Sequence, residues 1–425
     1  MGKSQYSQFE RKIANLLTYL PFVKKILKNL VQFINLFFFR KNYKYKSISK
    51  INFIFPVNKY KSETFFGYYD KSPLNFDNNY IIYHLSNLST AKNPNKIKNI
   101  EIYLFDILNN KHFFISETSA FNWQIGSRLQ WISNSRFIFN DFSIKNNRYI
   151  SKIYNVKEKI IEKVFQIPIY DCFEDKFAIT INFLNFNKNE KDYAYNAHLK
   201  ESDFFESSNS ISLINLLNGN IKEIIQSKQI LELKYLNSMK NAHHIFNHIM
   251  ISPDGSKFLF IHRWFKKGVR YDRLLLSDIN GKNIKIIADE KMVSHYCWIN
   301  DKKLIGYLRF KGKNGFYVYD LEKNHFEDSY FNHLNINNGD GHPSFKNDKI
   351  IFDIYPDKSR MSKIFMFTKN EKDLISLGEF FNPLKYKGIN RCDLHPRFSK
   401  DGRKIFFDCV HTGRRKLAYI NCEKY

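Results

Sequence analysis

An all-β chain folded as a seven-bladed β-propeller behind an N-terminal α-helical segment is what the sequence predicts. Three observations carry that expectation. A helical pattern of apolar residues stops near residue 50. Beyond it come runs of roughly four to seven aromatic and β-branched residues, separated by Asn, Asp, Gly and Lys turns. Those runs recur in one order: turn, strand, polar excursion, strand, turn.

The N-terminal element covers residues 1–48. Its stretch IANLLTYLPFVKKILKNLVQFINLFFF, Ile13 to Phe39, is apolar but interrupted by Lys24, Lys25 and Lys28. The uncharged runs are about half the ~20 residues that a membrane span needs. Ile26, Leu27, Leu30, Val31, Ile34 and Leu36 have helical spacing, and Arg40, Lys41, Lys44 and Lys46 follow. This pattern suits an interfacial helix on an anionic membrane surface. A helix packed on the main domain is the alternative. No small-residue cleavage site follows an apolar run, so no signal peptide is expected.

Residues 49–425 make the propeller. Its repeats begin at Leu74 (LNFDNNYIIYHLSN, completed by IEIYLFDILNN from Ile100), Trp131, Phe173, Ser252, Trp298, Phe345 and Ser399. The third, FEDKFAITINF, pairs with SISLINLLNGN from Ser210 across a long insertion. Seven units over about 370 residues give roughly 50 per unit, within the range of propeller blades, with six or eight blades as neighbouring solutions. A lone four-stranded sheet cannot bury both faces, whereas radial stacking does so and protects the edges. The early strand INFIFP, Ile51 to Pro56, is expected to complete the last blade and close the ring. Asp254-Gly255 and Asp401-Gly402 suit tight hairpins because Gly tolerates positive φ. These SPDG-type turns resemble those of TolB-like and WD40-like propellers, a likeness that speaks to fold and not to function.

The 425 residues carry 67 Lys and Arg against 41 Asp and Glu, a formal net charge of +26. Such an excess attracts anions. Most of it reads as a solvated lysine-rich surface. There is no Arg-rich helix, zinc-finger spacing or aromatic RNA-binding strand, so nucleic acid is disfavoured. The five cysteines are odd in number, widely spaced and without a CxxC pair, which excludes a disulfide framework and a cysteine zinc site. Free thiols fit a reducing cytosol, and with the N-terminal helix they place the protein in the cytoplasm, peripheral at the inner membrane.

The chemistry concentrates where the chain enters each innermost strand. NAHHIFNH holds His244 and His248, VSHYCW holds His295, GDGHPSF holds Asp340 and His342, and RCDLHPRF holds Arg391, Asp393 and His395. Earlier entrances supply Tyr69 and Asp70 (FFGYYDKSP) and Gln124 and Arg128 (FNWQIGSRLQW). A lone His beside a strand is usually structural. Four consecutive entrances with His at a similar offset instead fit a divalent metal or acid–base site. Arg263, Arg270 and Arg273 add guanidinium groups that match carboxylates bidentately, as a uronic or sialic acid would require, although blade salt bridges explain Arg270 and Arg273 equally well.

NHIMISPDGSKFLFIHRW, SHYCWIN and DLHPRFSKDG together resemble the oligogalacturonate lyase family, over roughly Asn247 to Asp408. The resemblance implies a Mn-type divalent ion on His295, Asp393 and His395, with Asp393 standing where the family has a histidine and Asn390 where it has a glutamine. It implies His248 as the base and Arg263 as the assisting arginine. His244, Arg270, Arg273, Asp340, His342, Arg391, Asp70 and Gln124 are the expected substrate contacts. GYYDKSP, QIGSRLQW, DGHPSF and RCDLHPRFS-x-DG also resemble uncharacterised propellers of bacterial surface-polysaccharide loci.

Two functions follow as expectations. One is lyase- or epimerase-like proton abstraction on an acidic glycan, since both reactions begin by removing the proton α to a carboxylate. The other is a non-catalytic propeller that binds glycan or protein in a membrane-bound polysaccharide assembly complex.

Overall fold

The computed structural model describes residues 21–195, 209–328, 340–368 and 374–422. The part of the predicted helix before Pro21 lies outside these residues. Helix α1 spans Pro21–Phe39. Among the described residues no helix is long and apolar enough to cross a membrane.

The strands form seven antiparallel sheets arranged in sequence order. Blades 1 to 5 are 63–118, 130–165, 171–226, 243–288 and 293–328, each with four strands. Blade 6 (344–381) gains a fifth strand, Tyr45–Ser47, along its outer edge, so the sheet system starts slightly before residue 49. In blade 7 the three strands of 397–421 are completed by Asn52–Ile54, in the register Asn52↔Tyr419 to Ile54↔Leu417. The expected early strand thus closes the ring.

Both faces of each blade are apolar. Leu259, Ile261 and Leu274 of blade 4 pack on Tyr296, Trp298, Leu304 and Leu308 of blade 5, and all are buried. Each such aliphatic side chain contributes ~2 kcal/mol by leaving water. The SPDG turns form as expected, with Gly255 and Gly402 at φ of 73° and 77°. All five cysteines are free, and only Cys172 is other than fully buried.

The up-and-down topology gives the ring two distinct ends. In blade 6 the chain enters the innermost strand from Asp340–Pro343, turns back at 347–348, and returns through Lys349–Ile354 to a loop at 355–360. It goes out along Met361–Thr368 and returns through Leu374–Phe381 to the entrance of blade 7. The entrances and the loops between second and third strands therefore share one end. The SPDG-type turns occupy the other.

Candidate functional site

The channel is plugged from inside by an excursion of blade 1. After Glu63–Phe65 the chain leaves the ladder as Phe66-Gly67-Tyr68-Tyr69-Asp70, and pairing resumes at Leu74↔Ile81. Asp408 of blade 7 holds the excursion by accepting from Phe66 N (3.0 Å) and Gly67 N (3.1 Å). The Tyr68 and Tyr69 rings then lie among imidazoles from four blades. Tyr68 stacks on His248 at 5.4 Å and meets His395 edge-on at 5.2 Å, while Tyr69 lies 5.2 Å from His342.

The entrance residues do converge. His295 and His342 have ring centroids 4.0 Å apart, and His342 and His395 are 4.3 Å apart. Ligand atoms of His342, Asp393 and His395 all lie within 4.8 Å of one another, and all three residues are buried. This group shares Asp393 and His395 with the expected ligand set but holds His342, expected as a substrate contact, in place of His295, whose ring lies alongside.

The imidazoles are oriented alike. His295 Nδ1 lies 2.8 Å from the Asp340 carbonyl, His342 Nδ1 2.8 Å from Asp353 Oδ1, and His395 Nδ1 2.8 Å from the Gly67 carbonyl. A carbonyl or carboxylate acceptor fixes the proton on Nδ1 and leaves the Nε2 lone pair free to bind a cation. Among the described residues His395 Nε2 is buried with no hydrogen-bond partner. An orphaned imidazole nitrogen beside a second imidazole and a carboxylate is what a divalent cation would satisfy, and this N/O donor set fits Mn or Zn.

Electrostatics agree with that reading for His295 and His395, whereas His342 would have to give up a proton to bind a cation. Burial, reinforced by the neighbouring His342, pushes His295 and His395 well below the ordinary imidazole range and keeps them neutral. Burial also acts to lower His342, but the charge and hydrogen bond of Asp353, with Asp393 and Asp340, outweigh it and raise its pKa.

Asp353 organises the cluster without lining the cavity. Its Oδ1 accepts from His342 N (2.8 Å) as well as Nδ1, and its Oδ2 accepts from His395 N (3.0 Å). One carboxylate on blade 6 thereby spaces two histidines from adjacent entrances. A Cβ on Gly341 would sit 1.8 Å from the Asp353 carbonyl oxygen, so only glycine lets that entrance pass.

His248 and His395 both adopt the left-handed backbone, at φ of 53° and 46°. Non-glycine residues in this region are strained and concentrate at functional sites. At His248 the strain belongs to a break in pairing between Asn247 and Met250, which turns the side chain inward. Its main chain is held by Tyr170 Oη (3.1 Å from N) and by Tyr296, whose hydroxyl donates to the His248 carbonyl. Burial, aided by Arg263, keeps His248 neutral, and its Nδ1 is 2.9 Å from Tyr68 Oη.

Beside the cluster opens a cavity of about 400 Å³, lined by His248, Arg263, Arg270, His295, Asp340, Arg391 and residues 188–193 among others. Its ionic lining has five cations (Lys188, Lys191, Arg263, Arg270, Arg391) and three carboxylates (Glu190, Asp192, Asp340). Arg263 already bonds Asp272 through Nε and Glu190 through Nη1, so it offers donors more than net charge. Arg391 bridges Asp393 (2.7 Å) and Asp192, tying the metal-competent carboxylate to the cavity wall. Arg270 is half exposed and pairs through Nε with Asp272 at 3.3 Å.

Four expected substrate contacts lie elsewhere. Arg273 donates to His262 Nδ1 (3.0 Å) and to the carbonyls of Ile230 and Lys234, and His262 Nε2 lies 2.9 Å from His244 Nδ1. This chain ends on the Met239 carbonyl and braces the segment between blades 3 and 4, so Arg273 is structural. His244 opens instead onto a neighbouring cavity of about 850 Å³. Asp70 is buried in a bidentate pair with Arg128. Gln124 is buried and donates to the Arg391 carbonyl at 3.0 Å, one shell behind the cavity. Asn390, expected at the family's glutamine position, donates to the Ala91 carbonyl at 2.7 Å.

Sequence reasoning missed Tyr68, Asp353, Tyr355 and the blade 3 insertion that supplies Lys188 to Tyr193. A signal existed for two of them. Asp353 is an acid inside an otherwise apolar strand, and a long insertion within a blade marks a functional loop.

No protein-family model matches the chain, and no curated protein matches it. Solved structures do. An oligogalacturonate lyase in complex with manganese superposes with a TM-score of 0.60 at 13% identity, over 89% of this chain and 95% of that one. An oligogalacturonate lyase from Vibrio parahaemolyticus gives a TM-score of 0.59 at 12% identity, over 90% and 97% of the two chains. At these identities the likeness is one of architecture: the chain is a seven-bladed propeller similar, over nearly its whole length, to oligogalacturonate lyases.

Proposed function

We propose that the protein acts on an acidic, uronate-containing oligo- or polysaccharide by removing the proton α to the sugar carboxylate, as a lyase or epimerase of bacterial surface-polysaccharide metabolism. The observation that carries this reading is the buried, partnerless Nε2 of His395 within the His342–Asp393–His395 group, next to a cavity whose lining favours anions. His342, Asp393 and His395, with His295 alongside, would hold a Mn-type cation. Bound there, the ion would supply positive charge to the substrate carboxylate and to the enolate formed from it.

The chain's own residues do the rest. His248, neutral and turned inward, is placed to accept the proton, and Tyr68 fixes its ring. Arg270 and Arg391 orient the carboxylate, and Arg263 contributes its remaining donors. Lys188 and Lys191 line both cavities, so an extended polyanion can pass from one to the other.

Metal content of the purified protein, against His342→Ala and His395→Ala, tests the ligand set. Stoichiometric Mn, Zn or Fe that both variants lose is expected. Uronate oligosaccharides are then assayed for unsaturated product by absorbance and for solvent deuterium incorporation. Absence of metal, product and exchange, with folding intact, would overturn the enzymatic reading and leave a binding surface.

A further inference from the structure

Helix α1 is laid on the propeller the wrong way round for a packing element. Its polar side faces the protein: Asn35 is buried, and Asn29 Oδ1 accepts from Lys387 Nζ at 2.9 Å. Its apolar side faces out, with Phe33, Phe37 and Phe38 exposed by 63%, 76% and 73%. Ile26, Leu30 and Ile34 are also exposed. An amphipathic helix that merely packed would bury this face. A contiguous exposed apolar face marks an interaction surface.

The position of the helix decides what that surface serves. Lys387 precedes Arg391 in the entrance to blade 7, and Lys358, whose Nζ lies 5.7 Å from the Phe39 ring, follows Tyr355. Arg391 and Tyr355 both line the cavity. Tyr45, soon after the helix, pairs with Phe380 at the end of the strand leading into the same entrance. The helix and the cavity mouth therefore occupy one end of the ring.

That end is also the basic one. Its loops carry the exposed Lys96, Lys98, Lys145, Lys267, Lys311 and Lys385. Arg40 and Lys44, directly after the helix, are exposed as well. At the opposite end Asp254, Asp278, Asp348 and Asp401 interrupt the lysines. An exposed apolar helix face at an end of the ring rich in exposed cations matches the boundary of an anionic bilayer, where each basic residue near the surface adds attraction.

We propose that α1 seats the propeller on an anionic membrane with the cavity mouth turned to the lipid surface, and that its substrate is an acidic glycan tethered to that membrane. The substrate part rests on the glycan reading above; the seating does not. Tethering converts capture into a local search at high effective concentration.

The test uses the full chain with phosphatidylcholine–phosphatidylglycerol vesicles, and phosphatidylcholine alone as control. Wild type is expected to sediment with the anionic vesicles only. Phe33→Ser with Phe37→Ser and Phe38→Ser should reduce that binding at least about tenfold. Orientation is read from an environment-sensitive label at Lys313→Cys or Lys302→Cys in a Cys172→Ser background, because these positions lie at opposite ends of blade 5. Quenching by brominated lipid at Lys313→Cys alone is expected. No vesicle binding, binding indifferent to the triple substitution, or quenching at Lys302→Cys would overturn the seating. So would a loss of self-association in the triple variant without vesicle binding, since the face would then join two copies. Lipid-anchored uronate oligosaccharide should bind about tenfold or more tightly than the free one, and only with α1 intact. Free oligosaccharide bound by the triple variant, without an advantage from anchoring, would sink the tethered substrate and spare the glycan site. Vesicle binding with no affinity for either oligosaccharide would sink the glycan site and spare the seating.

Discussion

Asp353→Asn is the substitution whose consequence can be worked most fully. The native carboxylate accepts three hydrogen bonds, two from His342 and one from His395 N. An amide keeps one acceptor oxygen and replaces the other by a donor. If its oxygen faces His342, its NH2 meets the His395 N–H; in the other flip it meets both His342 donors. At least one bond is lost outright and the others fall from charged to neutral strength. Bonds to a charged group contribute ~1.5–3 kcal/mol and neutral ones about half that, so ~2–4 kcal/mol of stability should disappear. Both histidines lose their shared anchor, and metal affinity should fall by about 10–100-fold, as when other outer-sphere partners are removed. Urea unfolding at neutral pH reads the first quantity and calorimetric Mn titration the second. A variant within about 0.5 kcal/mol of wild type, the spread of ordinary surface substitutions, and with unchanged affinity would refute the idea that this carboxylate spaces the cluster.

Burial pushes His84 down to about 3, so between there and the ordinary value near 6.5 the unfolded chain binds the extra proton. The stability it contributes is present above that ordinary value and is lost as pH falls, at ~1.4 kcal/mol per pH unit; urea midpoints at neutral pH and about pH 5 should differ accordingly, and equal midpoints would contradict it. Gly341→Ala forces a Cβ onto the Asp353 carbonyl oxygen and should cost ~2 kcal/mol or more while weakening metal binding; a neutral result would mean that the entrance shifts freely. Tyr68→Phe removes the hydroxyl beside His248 Nδ1, so turnover of a uronate substrate should drop about tenfold or more, with its pH profile displaced and folding intact.

The propeller was readable because its signals are local. Each blade announces itself by apolar runs and a turn within about 50 residues, and INFIFP has the composition of a strand that needs partners. Tyr45–Ser47 escaped notice because YKS is short and half polar, and only the edge of blade 6 makes it a strand. In the site, the histidine entrances were visible as a recurring offset. What they touch was not, because Asp353 reaches His395 across 42 residues and Gly67 meets His395 across 328. His244 and Arg273 share the composition of site residues but not their direction. Alternation along their strands turns them into a brace within blade 4, a fact of register that residue type does not carry.

The seam that closes blade 7 bears on when the site can exist. The cluster draws on blades 4 to 7 and is packed by the excursion of blade 1, while Asn52–Ile54 waits for Leu417–Tyr419. During synthesis His248 and His295 emerge long before the strand that completes the ring, so they stand apart until translation is almost finished. Pairing at such sequence separation is slow and comes late. The proposed chemistry would thus be withheld from nascent chains and from any form cut short of Leu417–Tyr419, and appearance of metal-binding capacity should follow, never precede, closure of that last blade.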